Sequence, residues 1–146
     1  MKTPLDAIDV KILKILKENS RLSYAEVGRK INLSQSATKE RIVSLIDNKV
    51  IKDFDLNIDY GQIGYGLNVI ISIKFENRDF EKFINDLHKF PEILNCKRVT
   101  GEFCLLTECV LKDSSHLEKL INRIIPYGTP STSVILSEVK TNNFFN

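Results

Sequence analysis

Gln35, Ser36 and Lys39 stand at the start of a helical pattern, Gln35–Asn48, whose apolar positions point the other way. An amide, a hydroxyl and an ammonium on one exposed helix face suit the edges of DNA bases. Gln pairs bidentately with adenine and Lys reaches guanine acceptors. Recognition helices present such groups near their N-terminal end, together with Glu40 and Val43 here. Lys30 and Arg41 are cations placed to touch phosphate or to brace the helices.

Positioning those groups requires two helices joined by a tight turn. The stretch Leu22–Ile51 supplies them. The spacing predicts a first helix from Ser23, as N-cap, to Ile31, with Val27 and Ile31 on one face. Gly28 lies where two such helices cross, a place that admits Gly or Ala. Asn32 tolerates a left-handed turn. Leu33 then enters the core and Ser34 caps the second helix, in which Thr38, Ile42 and Leu45 point inward at i, i+4 and i+7. Ahead of this pair, Leu5–Glu18 carries the stripe Ile8, Ile12, Leu13, Ile15 and Leu16 behind a capping Asp6. After it, Lys52–Ile58 alternates and is expected to form a short strand or wing. The alternative for this half is an ordinary helical hairpin with a solvated polar face. The wing weighs against that.

The chain has 146 residues, 42% hydrophobic and 27% charged, a globular composition with a net charge of +2. Arg21–Lys52 contains seven basic residues and three acidic ones, whereas 61–146 has ten of each. A local basic surplus on a neutral background is the footprint of phosphate contact. The N-terminus lacks a signal-peptide core, and no apolar run approaches the roughly 20 residues that span a bilayer. A cytoplasmic protein is expected. Cys96, Cys104 and Cys109 fit no zinc spacing and are expected as free thiols. His88 and His116 are expected at surface positions on helices.

Asp59–Gly66, with three glycines, reads as a hinge between residues 1–58 and 67–146. Beyond it the pattern predicts a strand Leu67–Phe75, a helix Arg78–Phe90 and a strand Leu94–Thr100. A turn at Gly101-Glu102 follows, then a strand Phe103–Leu111, a helix Ser114–Ile125 capped by Ser114, and a strand Thr132–Val139. This β-α-β-β-α-β order gives a four-stranded antiparallel sheet with both helices on one face. The other face carries Ile70, Leu106, Val110 and Ile135, and an open apolar face argues for a second copy of the chain. The fold class is therefore α+β, a winged helix-turn-helix followed by a ferredoxin-like domain.

Leu5-Asp6-x-x-Asp9-x-x-Ile12-Leu13-x-x-Leu16, Arg21-Leu22-Ser23, Leu33-Ser34, Arg41-Ile42-x-x-Leu45, Gly101-x-Phe103 and Glu138-Val139-Lys140 together resemble the Lrp/AsnC, or feast/famine, family over nearly the whole chain. The resemblance implies a transcription regulator whose N-terminal half binds duplex DNA. It also implies a C-terminal RAM domain that dimerises through its sheet, often builds octamers, and binds an amino-acid effector at subunit contacts. The effector site it implies is the Thr100–Cys104 turn with Thr100, Gly101, Glu102 and Cys104, meeting Ser131, Thr132 or Ser133 of a neighbouring subunit.

Two positions depart from the family. Its turn usually reads Gly-x-Tyr/Phe-Asp, with the Asp associated with effector response. Here the fourth residue is Cys104, so the acid of the turn is Glu102. The family also favours Gly after the recognition helix, where this chain has Lys49. Either Asn48 takes the left-handed step or Lys49 bears a small strain. Two further readings follow. An effector-blind architectural DNA-binding protein would keep the helices without the sensor. Sirohaem decarboxylases share the fold, but their His-Asn-Tyr-x-Arg run is absent from Asn95-Cys96-Lys97-Arg98-Val99, which speaks against an enzyme. No catalytic residue, metal or cofactor is expected beyond an amino-acid effector.

Overall fold

Asp6 begins the first helix, α1 (Ala7–Glu18), by accepting the N–H groups of Ile8 and Asp9, each at 2.8 Å. Asp9 returns the bond by accepting the N–H of Asp6 at 3.2 Å. This reciprocal cap satisfies donors that the first turn leaves without partners. The computed structural model describes residues 4–76 and 79–139. They fall into two compact units that divide between Asn57 and Ile58.

In the first unit, α2 (Tyr24–Ile31) is capped by Ser23, with Glu26 completing the same reciprocal motif. It ends on Asn32, whose φ of 58° is the left-handed turn expected of it. Ser34 caps α3 (Gln35–Asp47) through the N–H of Ala37. Ile12, Leu16, Val27, Ile42 and Leu45 form the core, with Thr38 fully buried beside them. Ile51 folds back onto that core, and the N–H groups of Val50 and Ile51 both bond the Leu45 carbonyl.

Two expectations about the end of α3 are settled or corrected. The left-handed residue is Lys49, at φ 57°, while Asn48 has φ −79°. A side chain in that conformation costs on the order of 1–2 kcal/mol. The alternating run Lys52–Ile58 is not a strand. It pairs with no strand among the described residues, and Phe54 and Leu56 are exposed. Alternation marks which faces a strand would show, but a strand also needs a partner for its backbone groups.

In the second unit, the glycine-rich segment is an ordered turn. A 3-10 turn, Tyr60–Ile63, is capped by Asp59 and closed by Gly64 at φ 93°. Then come β1 (Leu67–Phe75), α4 (Asp79–Asn85), β2 (Ile93–Arg98), β3 (Leu105–Leu111), α5 (Ser114–Ile124) and β4 (Gly128–Val134). The sheet is antiparallel in the order β2-β3-β1-β4, as the β-α-β-β-α-β reading requires. Val69, Ile71, Ile73, Leu105, Leu111, Phe83, Leu120 and Ile124 form its core. Phe83 sits 5.2–5.4 Å from the rings of Phe75, Phe90 and Tyr127.

Boundaries differ where side chains compete with the periodic pattern. The expected helix Arg78–Phe90 stops at Asn85, and Leu87–Lys89 tightens to 3-10. Asp86 there is drawn to Lys89 at 2.6 Å and to the Tyr127 hydroxyl at 2.8 Å. The cap of α5 is Asp113 rather than Ser114. The last strand begins four residues earlier than Thr132 and stops at Val134. Pro130 fits within it because β4 is an edge strand, where one side of the backbone needs no N–H.

His116 is not a solvated helix residue. It is half-buried, donates from Nε2 to Glu92 Oε1 at 3.2 Å, and accepts the Lys112 N–H at Nδ1. Arg123 donates to the same Glu92 oxygen at 2.6 Å. Glu92 is only 8% exposed, and its Oε2 has no partner. Burial pushes this carboxyl up. Its own backbone N–H, Arg123 and His116 outweigh burial and hold it below the usual carboxylate range. The stability that it contributes is therefore present above the unfolded value and lost as pH falls through the folded one. Arg123→Ala is expected to destabilise the chain at neutral pH, because it leaves a buried carboxylate short of its cation. The variant should also lose less stability than wild type between about pH 5 and pH 3. Urea unfolding at both pH values checks this. An unchanged acid dependence would remove Glu92 from the account.

Candidate functional site

The polar face of α3 is held by three devices. Ser34 fixes its start, and Thr38 donates from Oγ1 to the Ser34 carbonyl at 2.8 Å from beneath. Gly28 lets α2 lie against it. A Cβ at Gly28 would come within 2.6 Å of the Leu33 carbonyl oxygen and 2.8 Å of Thr38 Oγ1. The expectation that Ala also fits is therefore wrong. The reason is that the crossing brings backbone, not a movable side chain, against this position. Third, Arg41 Nη1 donates to Asp6 at 2.7 Å and Asp9 at 2.9 Å. The carboxylates that cap α1 thus also anchor α3. The hydrogen bond from the Asp9 backbone, then Arg41, holds the Asp6 carboxyl below its ordinary value.

With α3 fixed in this way, Gln35, Ser36, Lys39 and Glu40 are exposed on the face opposite Thr38, Ile42 and Leu45. The Ser36 hydroxyl lies 3.1 Å from that of Ser34. Lys30, in the last turn of α2, is exposed. Arg41 separates from this group, because its guanidinium is occupied by α1 and acts as a brace.

In the second unit, the Val99 N–H donates to the Cys104 carbonyl and closes the turn at 3.0 Å. Gly101 has φ 114°, with open space where a Cβ would stand. Thr100 and Glu102 are exposed. The Cys104 thiol is directed at the Ile73 carbonyl, 3.9 Å away. All three cysteines are free, and burial pushes the Cys109 thiol up to about 11. Lys74 approaches Glu102 at 3.4 Å. The sequence reading missed Lys74. Nothing near it in sequence signals the contact, since Glu102 lies 28 residues away.

The serine–threonine group divides. Ser131 pairs with Ser72 and Ser133 with Ile70, on the face without helices, whereas Thr132 pairs with the fully buried Ile71 on the helical side. Strand alternation makes this unavoidable, so Thr132 does not share a face with the two serines. Within the chain β1 separates β4 from β3, about 10 Å at the sheet spacing. The helix-free face is also less apolar than expected. Val110 is buried, and Ile70, Leu106 and Ile135 are half-buried. Between them stand Ser72 and Glu108, the latter paired to Lys97 at 2.7 Å.

A helix pair presenting a polar recognition face, followed in the chain by a ferredoxin-like unit with a tight glycine turn, defines a DNA-binding regulator with a ligand-binding type of second domain. The AsnC-type helix-turn-helix domain matches residues 5–46, and the Lrp/AsnC ligand binding domain matches residues 68–143. The chain belongs to the Lrp/AsnC family of transcriptional regulators. It is 35% identical over 139 residues to the HTH-type transcriptional regulator LrpC of Bacillus subtilis, covering 95% of this chain and 96% of that one. It is 28% identical to LrpA of the same organism over 92% and 99% of the two chains. The solved structure of B. subtilis LrpC matches with a TM-score of 0.89 and 34% identity, over 96% of this chain and all of that one. A transcriptional regulator from Neisseria meningitidis, solved as a complex with L-methionine, matches with a TM-score of 0.85 and 26% identity, over 96% and 95%. The relatives are regulators, and this chain is a regulator rather than an enzyme. No helix among the described residues is long and apolar enough to cross a membrane.

Proposed function

We propose that Gln35, Ser36 and Lys39 read bases in the major groove, that Lys30 touches phosphate, and that an amino acid bound at the Thr100–Cys104 turn modulates the complex. The carrying observation is the exposed polar start of α3, set by the Ser34 cap, the bare Gly28 crossing and the Arg41 brace. The basic surplus of Arg21–Lys52 supports the same face. The L-methionine complex of the Neisseria relative supports an amino-acid effector here. Glu102 on an open glycine turn supplies an acid for its ammonium group.

Such a protein acts as a dimer or a higher assembly such as an octamer, in the cytoplasm, joined through the helix-free sheet face. Ile70, Leu106 and Ile135 supply that face with apolar area, and Ser131 and Ser133 lie within it. Selection from a pool of random duplexes tests the reading. The expected product is a roughly two-fold symmetric site with half-sites about 10 base pairs apart, or a multiple of that. Light scattering on the same sample should report a dimer or larger. A pool that returns no shared sequence, or a monomer at micromolar concentration, would contradict it. The effector-blind reading differs in one respect, since no amino acid would then change binding.

A further inference from the structure

We infer that Val43 is a further specificity residue of α3 and reads the 5-methyl group of a thymine. The inference rests on the proposal that α3 enters the major groove, and adds to it an apolar contact and the base it selects. Successive residues of an α-helix are turned by about 100°. Gln35, Ser36, Lys39, Val43 and Ile46 therefore share one side of α3, within a sector of about 100°. All five are exposed. The buried side, Thr38, Ile42 and Leu45, lies about 130° round the helix from Val43. The acids Glu40 and Asp47 border the exposed sector without interrupting it. Its first turn is polar, and Val43 and Ile46 make its continuation apolar.

A solvated helix face gains nothing from these two residues. Val43 and Ile46 are 37% and 39% exposed, outside the buried core of the unit. Both are β-branched, and a helix holds such side chains at a greater cost in rotamer freedom than unbranched polar ones. Contact with a partner accounts for them. In the major groove every base pair offers hydrogen-bonding atoms, and thymine alone adds a methyl group. An amide or an ammonium cannot tell whether that methyl is there. A valine packed on it removes apolar area of both from water. Valine is also stiff at χ1, so it loses little freedom in making the contact. Val43 stands roughly 12 Å along the helix from Gln35, eight residues at 1.5 Å each. At about 3.4 Å per base pair, the thymine it selects lies about three or four pairs from the base that Gln35 reads.

Replacing the thymines of the selected duplex one at a time by deoxyuridine removes the methyl group and keeps the base pair. Fluorescence anisotropy with the full chain then reads the contact. Wild type should lose about three- to five-fold in affinity at one thymine per half-site, the effect of burying one methyl. That thymine should lie about three or four pairs from the base on which Gln35 acts. Val43→Ala keeps the helix, since alanine is the stronger helix former. It should bind the thymine and deoxyuridine duplexes equally. A purely structural role for Val43 would instead lower both affinities and leave the methyl preference intact. A preference that persists in Val43→Ala, no preference at any thymine in wild type, or a selected site without thymine there would overturn the inference. In each of these cases Gln35→Ala would still lower the preference for the selected site, and the reading of α3 would stand. If Gln35→Ala left that preference unchanged, or no site were selected, both would fall.

Discussion

Gly28→Ala is expected to destabilise the DNA-binding unit, although alanine is the better helix former by about 1 kcal/mol. The new methyl would lie 2.6 Å from the Leu33 carbonyl oxygen and 2.8 Å from Thr38 Oγ1. Neither neighbour retreats cheaply. Leu33 is tied to the same glycine by an N–H bond to the Gly28 carbonyl at 2.9 Å. Thr38 is fully buried and bonded to Ser34. The helices must separate, and overpacking of this kind costs about 1–3 kcal/mol. Because α3 moves with them, DNA affinity should fall more than stability alone explains. Gly66→Ala is the control. Nothing lies within 4 Å of its added methyl and its φ is not positive, so it should be neutral or stabilise by about 0.4–1 kcal/mol. Thermal unfolding of both variants checks this, and a Gly28→Ala chain as stable as wild type would contradict the tight crossing.

The helix-turn-helix was legible because its determinants are local. Asp6, Ser23 and Ser34 each cap the helix that follows through bonds spanning two or three residues. Asn32 makes the left-handed turn, and Thr38, Ile42 and Leu45 bury together at helical spacing. The β-α-β-β-α-β order was legible for the same reason, since the period of two along Leu67–Phe75 reports its own burial. What sequence could not supply depends on partners distant along the chain. The expected wing, Lys52–Ile58, has the alternation but no neighbouring strand among the described residues. Arg41 left two readings open until the Asp6 and Asp9 carboxylates, more than thirty residues away, closed on it. His116 read as a surface residue because its partner Glu92 lies 24 residues away. Lys74 was passed over, since a strand pattern does not say that a turn folds back to its end. Thr132 was within reach of the alternation rule. It was grouped with Ser131 and Ser133 by chemistry, when pairing with Ile71 sets it on the other face.

The division of labour on the DNA-binding surface carries the second large effect. Gln35 faces outward at the start of α3 with no backbone task, so it is free to pair with a base edge. Lys30 is exposed in the last turn of α2, and on the proposed reading its ammonium meets phosphate. A good base contact discriminates by about 1–3 kcal/mol, on the order of 10–100-fold in affinity. A phosphate contact gives no discrimination but steepens the salt dependence by about one unit of slope. The same duplexes therefore separate the two roles.

The most direct test of the account is the ratio of affinities for the selected site and a scrambled duplex, measured by fluorescence anisotropy across a salt series. Gln35→Ala should lower that ratio about 10–100-fold and leave the affinity for scrambled DNA and its salt slope unchanged. Lys30→Ala should weaken binding to both duplexes equally and flatten the slope by about one. If Gln35→Ala kept the wild-type ratio, the start of α3 would not be the surface that reads DNA.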